Sequence, residues 1–231
     1  MYDQQKVGAV IVAAGSSGRM GGDDKMFAHL DGKLVLSRVV DTFQRCTLVD
    51  QIVLVVSKPS LGRCQQLVTA QEWSKVTDIC PGGRRRQDSV AAGLSRLNDC
   101  HWVVIHDGAR PLVTEELIKH GLEAVRETGA VVAALPVTDT IKIVGDDSLV
   151  HQTPSRRNLW AIQTPQIFRF DIITEAYRQT KGEVTDDASL VEQAGYKVKL
   201  YSGSYDNIKI TTPDDLILAE WMLYHRKESH P

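Results

Sequence analysis

The chain has 231 residues, 42% of them hydrophobic and 24% charged, with a formal net charge of −2. That length suits one α/β domain able to bury a core without disulfide or metal staples, and the slightly acidic balance argues against a dedicated nucleic-acid binder, which is normally basic. Cys46, Cys64, Cys80 and Cys100 form no C-x-x-C pair and read as reduced thiols of a cytoplasmic protein, while no apolar run approaches the ~18 residues of a membrane span and no signal-peptide pattern is expected at the N-terminus.

The predicted elements begin with Val7–Ala13, a continuous β-branched run of the kind found in strands buried on both faces. Leu36, Val39, Val40 and Phe43 follow helical spacing, Ile52–Val56 reads as a second buried strand, and Leu61–Ala70 as a helix. Val76–Cys80 and Val103–Ile105 read as strands, with a helix at Ser89–Leu97 between them. A helix from Thr114 to about Thr128 and a strand at Ala130–Leu135 complete a strand–helix alternation that implies a mostly parallel, doubly wound sheet. The rhythm breaks over 138–168, which holds only the strand-like pieces Thr140–Val144 and Leu159–Ile162. From pattern alone, this excursion is either an arm packing on another subunit or a long solvated hairpin. The α/β pattern resumes with helices at Ile172–Thr180 and Ser189–Gln193, a strand at Lys197–Ser202, and a last helix opened by Thr212-Pro213 with Asp214 and Asp215.

Chemistry-bearing segments follow the strands. Ala13-Ala14-Gly15-Ser16-Ser17-Gly18-Arg19, with Lys25 beyond it, allows close backbone approach to a triphosphate beside mobile positive charge. The loop lacks the Walker G-K-[S/T] and fails G-x-G-x-x-G at Ser17, which argues against a redox dinucleotide enzyme. Pro81-Gly82-Gly83-Arg84-Arg85-Arg86-Gln87-Asp88-Ser89 offers backbone amides and a serine able to reach a base edge, or simply a basic loop capped by Ser or Asp. In His106-Asp107-Gly108-Ala109-Arg110-Pro111, Asp107 can hold Mg2+ or a substrate hydroxyl and Arg110 a phosphate, the competing reading being a buried Asp–Arg pair that stabilises a turn. Such loops lie where ligands of open α/β sheets bind, at the C-terminal ends of the strands.

These segments, together with Asp139-Thr140-Ile141-Lys142, Arg156…Leu159-Trp160, Gln163-Thr164-Pro165-Gln166, Thr185-Asp186-Asp187-Ala188-Ser189 and Asp206–Thr211, closely resemble the 2-C-methyl-D-erythritol 4-phosphate cytidylyltransferases over nearly the whole chain. The resemblance implies a single Rossmann-like nucleotidyltransferase domain over 1–231, with a dimerisation β-arm at about 138–168. It implies CTP contacts at Ala13, Ala14, Gly15, Gly83 and Ser89, and Arg19 and Lys25 stabilising the pentavalent α-phosphate. Asp107, Arg110, Thr140, Thr185 and Lys209 match the acceptor pocket. Lys209 and Arg156 would hold the acceptor phosphate in line, Arg156 reaching the partner subunit's site in a homodimer; a one-residue shift would assign that role to Arg157. Mg2+ would accompany the nucleotide, held mainly by its phosphates, with Asp107 as a tentative ligand.

The residues agree with such a reaction. A phosphomonoester oxygen is a competent nucleophile at neutral pH, so positioning and charge stabilisation suffice, and the chain shows no Ser-His-Asp or Cys-His arrangement. Ribitol 5-phosphate is the rival acceptor. A non-catalytic nucleotide-sensing module is the rival class, and it would not need Thr140, Arg156, Thr185 and Lys209 together.

Overall fold

The computed structural model describes residues 2–15, 25–179 and 182–229. Strand β1 (Val7–Ala13) leads, by way of a 3-10 turn at Lys25–Phe27 and the small hairpin β2 (His29–Leu30) and β3 (Lys33–Leu34), into α1 (Val35–Arg45). There follow β4 (Gln51–Val56), α2 (Leu61–Ala70), β5 (Val76–Pro81), α3 (Arg86–Leu94), β6 (Trp102–Asp107), α4 (Glu115–Thr128) and β7 (Ala130–Pro136). After the short hairpin β8 (Ile143–Val144) and β9 (Val150–Gln152) come β10 (Trp160–Arg169), α5 (Phe170–Gln179), α6 (Asp187–Gln193), β11 (Lys199–Ser202) and α7 (Pro213–Ser229).

One seven-stranded sheet runs in the order β11-β7-β10-β6-β1-β4-β5. β1 pairs in parallel with β4 and β6, β4 with β5, and β11 with β7, while β10 is antiparallel to both its neighbours. Successive side chains of β1 point to opposite faces. Ala9 and Ile11 join the core under α1, α4 and α7, whereas Val10 joins Val90 of α3, Ile173 of α5 and Val191 of α6 on the other face. Both faces are therefore covered, and the sheet is doubly wound as expected.

The excursion expected over 138–168 divides in two. Residues 137–159 leave the sheet as an exposed arm carrying β8 and β9. Residues from Trp160 onward return as β10, wedged between β7 and β6, with Gln163–Phe168 buried. The strand escapes periodicity because Gln163, Thr164 and Gln166 are polar and Pro165 interrupts the run, the usual marks of an edge or loop. Their burial is made possible by partners outside the strand. Gln163 donates to the Ser204 carbonyl (3.0 Å) and accepts from its N–H (3.2 Å); Gln166 donates to Asp186 (2.8 Å) and accepts from the Ala188 N–H (3.1 Å).

Helix starts place the loops. Helix α3 begins at Arg86, three residues earlier than its apolar pattern indicated, because Asp88 accepts the Arg85 backbone N–H (3.0 Å). Asp186 caps α6 by accepting the Ser189 N–H (3.1 Å). At α7, Asp215 accepts the N–H groups of Thr211 (2.7 Å) and Thr212 (2.8 Å), tying down the segment that follows β11.

Candidate active site

Two pockets open at the C-terminal edge of the parallel strands. The first, about 390 Å³, is lined by Ala13 at the end of β1, Ala14 and Gly15 after it, Lys25 and Met26 of the 3-10 turn, Gly83 before α3 and Ser89 in its first turn. The second, about 440 Å³, is lined by Arg110, Thr164, Gln166, Thr185 and Ser189 among others. Asp107, Arg86 and Lys209 line both, so they form the wall between them.

Glycine is required where the first pocket's loops meet. A Cβ on Gly82 would lie 2.2 Å from the Ala14 Cβ, and one on Gly83 would lie 2.4 Å from the Asp88 Cβ. Ser89, only 3% exposed, accepts the Gly83 N–H (3.1 Å) and donates to the Arg85 carbonyl (3.2 Å). Its single hydroxyl hydrogen is thus committed, and what remains for a ligand is acceptor capacity.

The wall is an ion-pair cluster. Asp107 Oδ1 accepts from Arg86 Nε (3.1 Å) and Oδ2 from Lys209 Nζ (2.7 Å). Burial alone would raise the Asp107 pKa, but the charges of Arg86, Lys209 and Arg110 overcome it and hold the carboxyl well below its ordinary range. These surroundings do not fit the metal role expected for Asp107. Both its oxygens are engaged by cations, and no group of three or more His, Cys, Asp or Glu able to hold a metal occurs among the described residues.

Behind the wall lies a buried polar network. His106 Nε2 contacts the Arg110 carbonyl (3.2 Å), which can only accept, so Nε2 carries the hydrogen. Nδ1 therefore accepts the Thr164 hydroxyl (3.1 Å), leaving that oxygen to receive the Asp107 N–H (3.0 Å). The side-chain amide of Asn207, fully buried, donates to the Thr164 carbonyl (2.7 Å), and the Asn207 backbone carbonyl accepts from Arg110 Nη1 (2.7 Å). Burial pushes the His106 pKa down to about 4 from 6.5, against the opposing pull of Asp107. Between those values the unfolded chain binds a proton that the folded one refuses. Stability present above pH 6.5 is therefore lost as pH falls toward 4, by about 3 kcal/mol from this one group. Urea unfolding of wild type and His106→Asn across that window should show a shallower pH slope in the variant; equal slopes would refute the assignment.

Of the residues singled out from sequence, Ala13, Ala14, Gly15, Lys25, Gly83 and Ser89 share the first pocket, and Asp107, Arg110, Thr185 and Lys209 the second. Lys25 Nζ donates to the Ile210 carbonyl (3.1 Å), joining its turn to the Lys209 segment. Arg19 lies outside the described residues. Thr140 and Arg156 are exposed on the arm and line neither pocket, Arg156 donating instead to the Thr138 carbonyl. From sequence, Arg86 stands out only as part of a motif, with no role of its own. Its three-arginine run was the one available signal, and the partners that define it lie far along the chain.

The family model for 2-C-methyl-D-erythritol 4-phosphate cytidylyltransferase matches residues 7–225. The chain belongs to this family. A relative of that description from Dehalococcoides mccartyi is 52% identical over 96% of this chain and 98% of its own, and one from Alkaliphilus oremlandii is 42% identical over 99% of each. Among solved structures, 4-diphosphocytidyl-2C-methyl-D-erythritol synthase from Anaerococcus prevotii superimposes with a TM-score of 0.85 at 34% identity, covering 96% of this chain and 97% of the other. The corresponding cytidylyltransferase from Thermus thermophilus gives 0.77 at 30% identity, covering 95% of this chain and 99% of the other.

Proposed function

We infer that the chain transfers the cytidylyl group of CTP to 2-C-methyl-D-erythritol 4-phosphate, forming 4-diphosphocytidyl-2-C-methyl-D-erythritol and pyrophosphate. The observation that carries this reading is the pair of adjoining pockets divided by Arg86, Asp107 and Lys209. A nucleotide in the first and a phosphomonoester in the second would meet across a wall rich in positive charge. The acceptor's phosphate oxygen attacks the α-phosphorus, a new P–O bond forms, and the bond to the β-phosphate oxygen breaks with release of pyrophosphate. No proton need be removed from the nucleophile, so the protein's contribution is alignment and charge stabilisation.

Lys25, which lines the first pocket, would meet charge developing on the nucleotide side, with Arg19 as its expected companion. Lys209 uses one ammonium hydrogen on Asp107 and keeps the others for phosphate oxygens. The acceptor capacity left on Ser89 suits an amino donor such as that of cytosine. Arg110 and Thr185 face the acceptor side. Magnesium is taken to arrive on the phosphates of CTP and is given no protein ligand. Thr140 and Arg156 would serve the site from a partner's arm in a homodimer. That proposal is supported by the exposed apolar residues Ile143, Val144, Leu149 and Val150 at the arm's tip. A cytoplasmic location belongs to the same reading, in keeping with four free thiols; no helix among the described residues is long and apolar enough to cross a membrane.

Pyrophosphate release with CTP and methylerythritol phosphate, run beside ribitol 5-phosphate and beside ATP or GTP, tests the function. Turnover should require CTP and favour methylerythritol phosphate. Comparable kcat/KM for CTP and ATP, or for the two acceptors, would overturn it, because a site that hydrogen-bonds one ligand leaves its own groups unpaired with another. For the arm, Arg156→Ala should be slow alone yet regain activity when mixed with inactive Lys25→Ala, through hybrid dimers. A monomer in sedimentation at micromolar concentration would end that proposal.

A further inference from the structure

Arg86 is held from two sides. Its Nε donates to Asp107 Oδ1 at 3.1 Å, and its Nη1 to Asp187 Oδ2 at 2.8 Å. Asp187, at the start of α6, is fully buried, and its other oxygen accepts the hydroxyl of Tyr177 on α5 at 2.6 Å. Arg86 Nη2 is buried and has no hydrogen-bond partner among the described residues. A guanidinium fixed at Nε by one carboxylate and at Nη1 by another cannot turn in its plane, so the remaining edge has one direction. An orphaned buried donor is unfavourable and uncommon in native proteins unless something else satisfies it. This one belongs to a residue that lines both pockets.

We propose that Tyr177, acting through Asp187, is a positioning residue that locks the Arg86 guanidinium so that Nη2 is presented to an oxygen of the reacting phosphates. The inference rests on the cytidylyl-transfer reading above. Tyr177 touches no reactant; it lines a separate groove with Ala91, Leu94 and Phe170 on the far side of α3. Burial first, and the Asp187 charge second, keep its phenol protonated far above the ordinary range, so it remains a donor throughout neutral pH. Stability alone does not explain the arrangement, since well-packed apolar side chains serve as well as or better than a buried ion pair.

Tyr177→Phe removes only the hydroxyl and keeps the ring in its groove. It should lower kcat by about tenfold, as expected for a slight misplacement of a positioning group, with KM for CTP little changed and the unfolding midpoint modestly lowered, because a buried carboxylate loses one donor. In an Arg86→Gln background the same change should lower kcat by less than about twofold, because the group it positions is gone. A purely structural tyrosine would give the same loss in both backgrounds, tracking the thermal midpoint, and would overturn the proposal, as would wild-type kcat in Tyr177→Phe. If that variant does not fold, Asp187→Asn, which keeps the side chain's shape, replaces it in the cycle with the same expectation. A wild-type enzyme that releases no pyrophosphate from CTP and methylerythritol phosphate would remove the functional reading itself, and this proposal with it; an active wild type with an unaffected variant removes the positioning role alone.

Discussion

Lys25→Ala should lower kcat by about 10²–10³ while leaving the fold intact, the magnitude typical for losing one preorganised donor at a developing charge. Lys25 opens a 3-10 turn whose next two residues, Met26 and Phe27, are buried in the core, so its backbone is anchored whatever the side chain. The half-buried side chain lines the first pocket and reaches the Ile210 carbonyl at 3.1 Å. Its removal forfeits that charge-assisted hydrogen bond among its contacts, about 2 kcal/mol of stability. A lysine engaged only with its own loops predicts near-normal turnover. Measuring kcat at saturating CTP and acceptor beside a thermal melt separates the two accounts, and wild-type kcat would remove Lys25 from the mechanism.

The parallel half of the sheet was legible because burial on both faces demands unbroken β-branched runs. Val7–Ala13 and Ile52–Val56 carry that signal without interruption. Helix α4 was legible to within a residue, since Thr114 caps it by accepting the Leu117 N–H and Gly129, at φ 74°, ends it. Strand β10 was legible only at its start, where Leu159–Ile162 reads as strand-like; its buried polar stretch from Gln163 was not, because those residues are satisfied by distant chain. Gln163 bonds across 41 residues to Ser204, and Thr164 across 58 to His106. No sequence window contains both halves of such a bond.

The same physics divides the site. Ala13, Ala14, Gly15, Lys25 and Gly83 could be grouped from sequence because strand-end loops of a parallel sheet must converge on one edge. Arg86 could not be given a role, since its carboxylates lie 21 and 101 residues away, and only the fold brings α6 beside β6. Asp107 reads from sequence as a ligand for Mg2+ or a substrate hydroxyl, with half of a turn-stabilising Asp–Arg pair as the competing reading. The structure pairs its carboxylate with Arg86 and Lys209 in the lining of both pockets, which leaves no oxygen for a metal and has consequences for both stability and turnover.

Asp107→Asn should destabilise the protein by about 3–5 kcal/mol, the usual result of removing one partner from a buried charge cluster. The carboxylate's side chain is 8% exposed and lies between Arg86 and Lys209, with Arg110 nearby. An asparagine there turns an amide donor toward cations that can only donate, and leaves Arg86 with Asp187 alone. The pH dependence has a definite sign. Asp107's carboxyl is held below its ordinary range in the folded state, so its contribution is present above that ordinary value and disappears as pH falls through the folded one. Urea unfolding of wild type and variant should therefore differ most at neutral pH and converge in strong acid. Turnover should fall with stability but further than stability explains, by about 10²-fold, because Lys209 and Arg86 lose the anchor that fixes them between the pockets and small misplacements of positioning groups are that costly. A variant with unchanged stability at neutral pH would show that the cations re-pair elsewhere. One destabilised but with wild-type kcat when folded would show that the cluster holds the protein together without aligning the reactants.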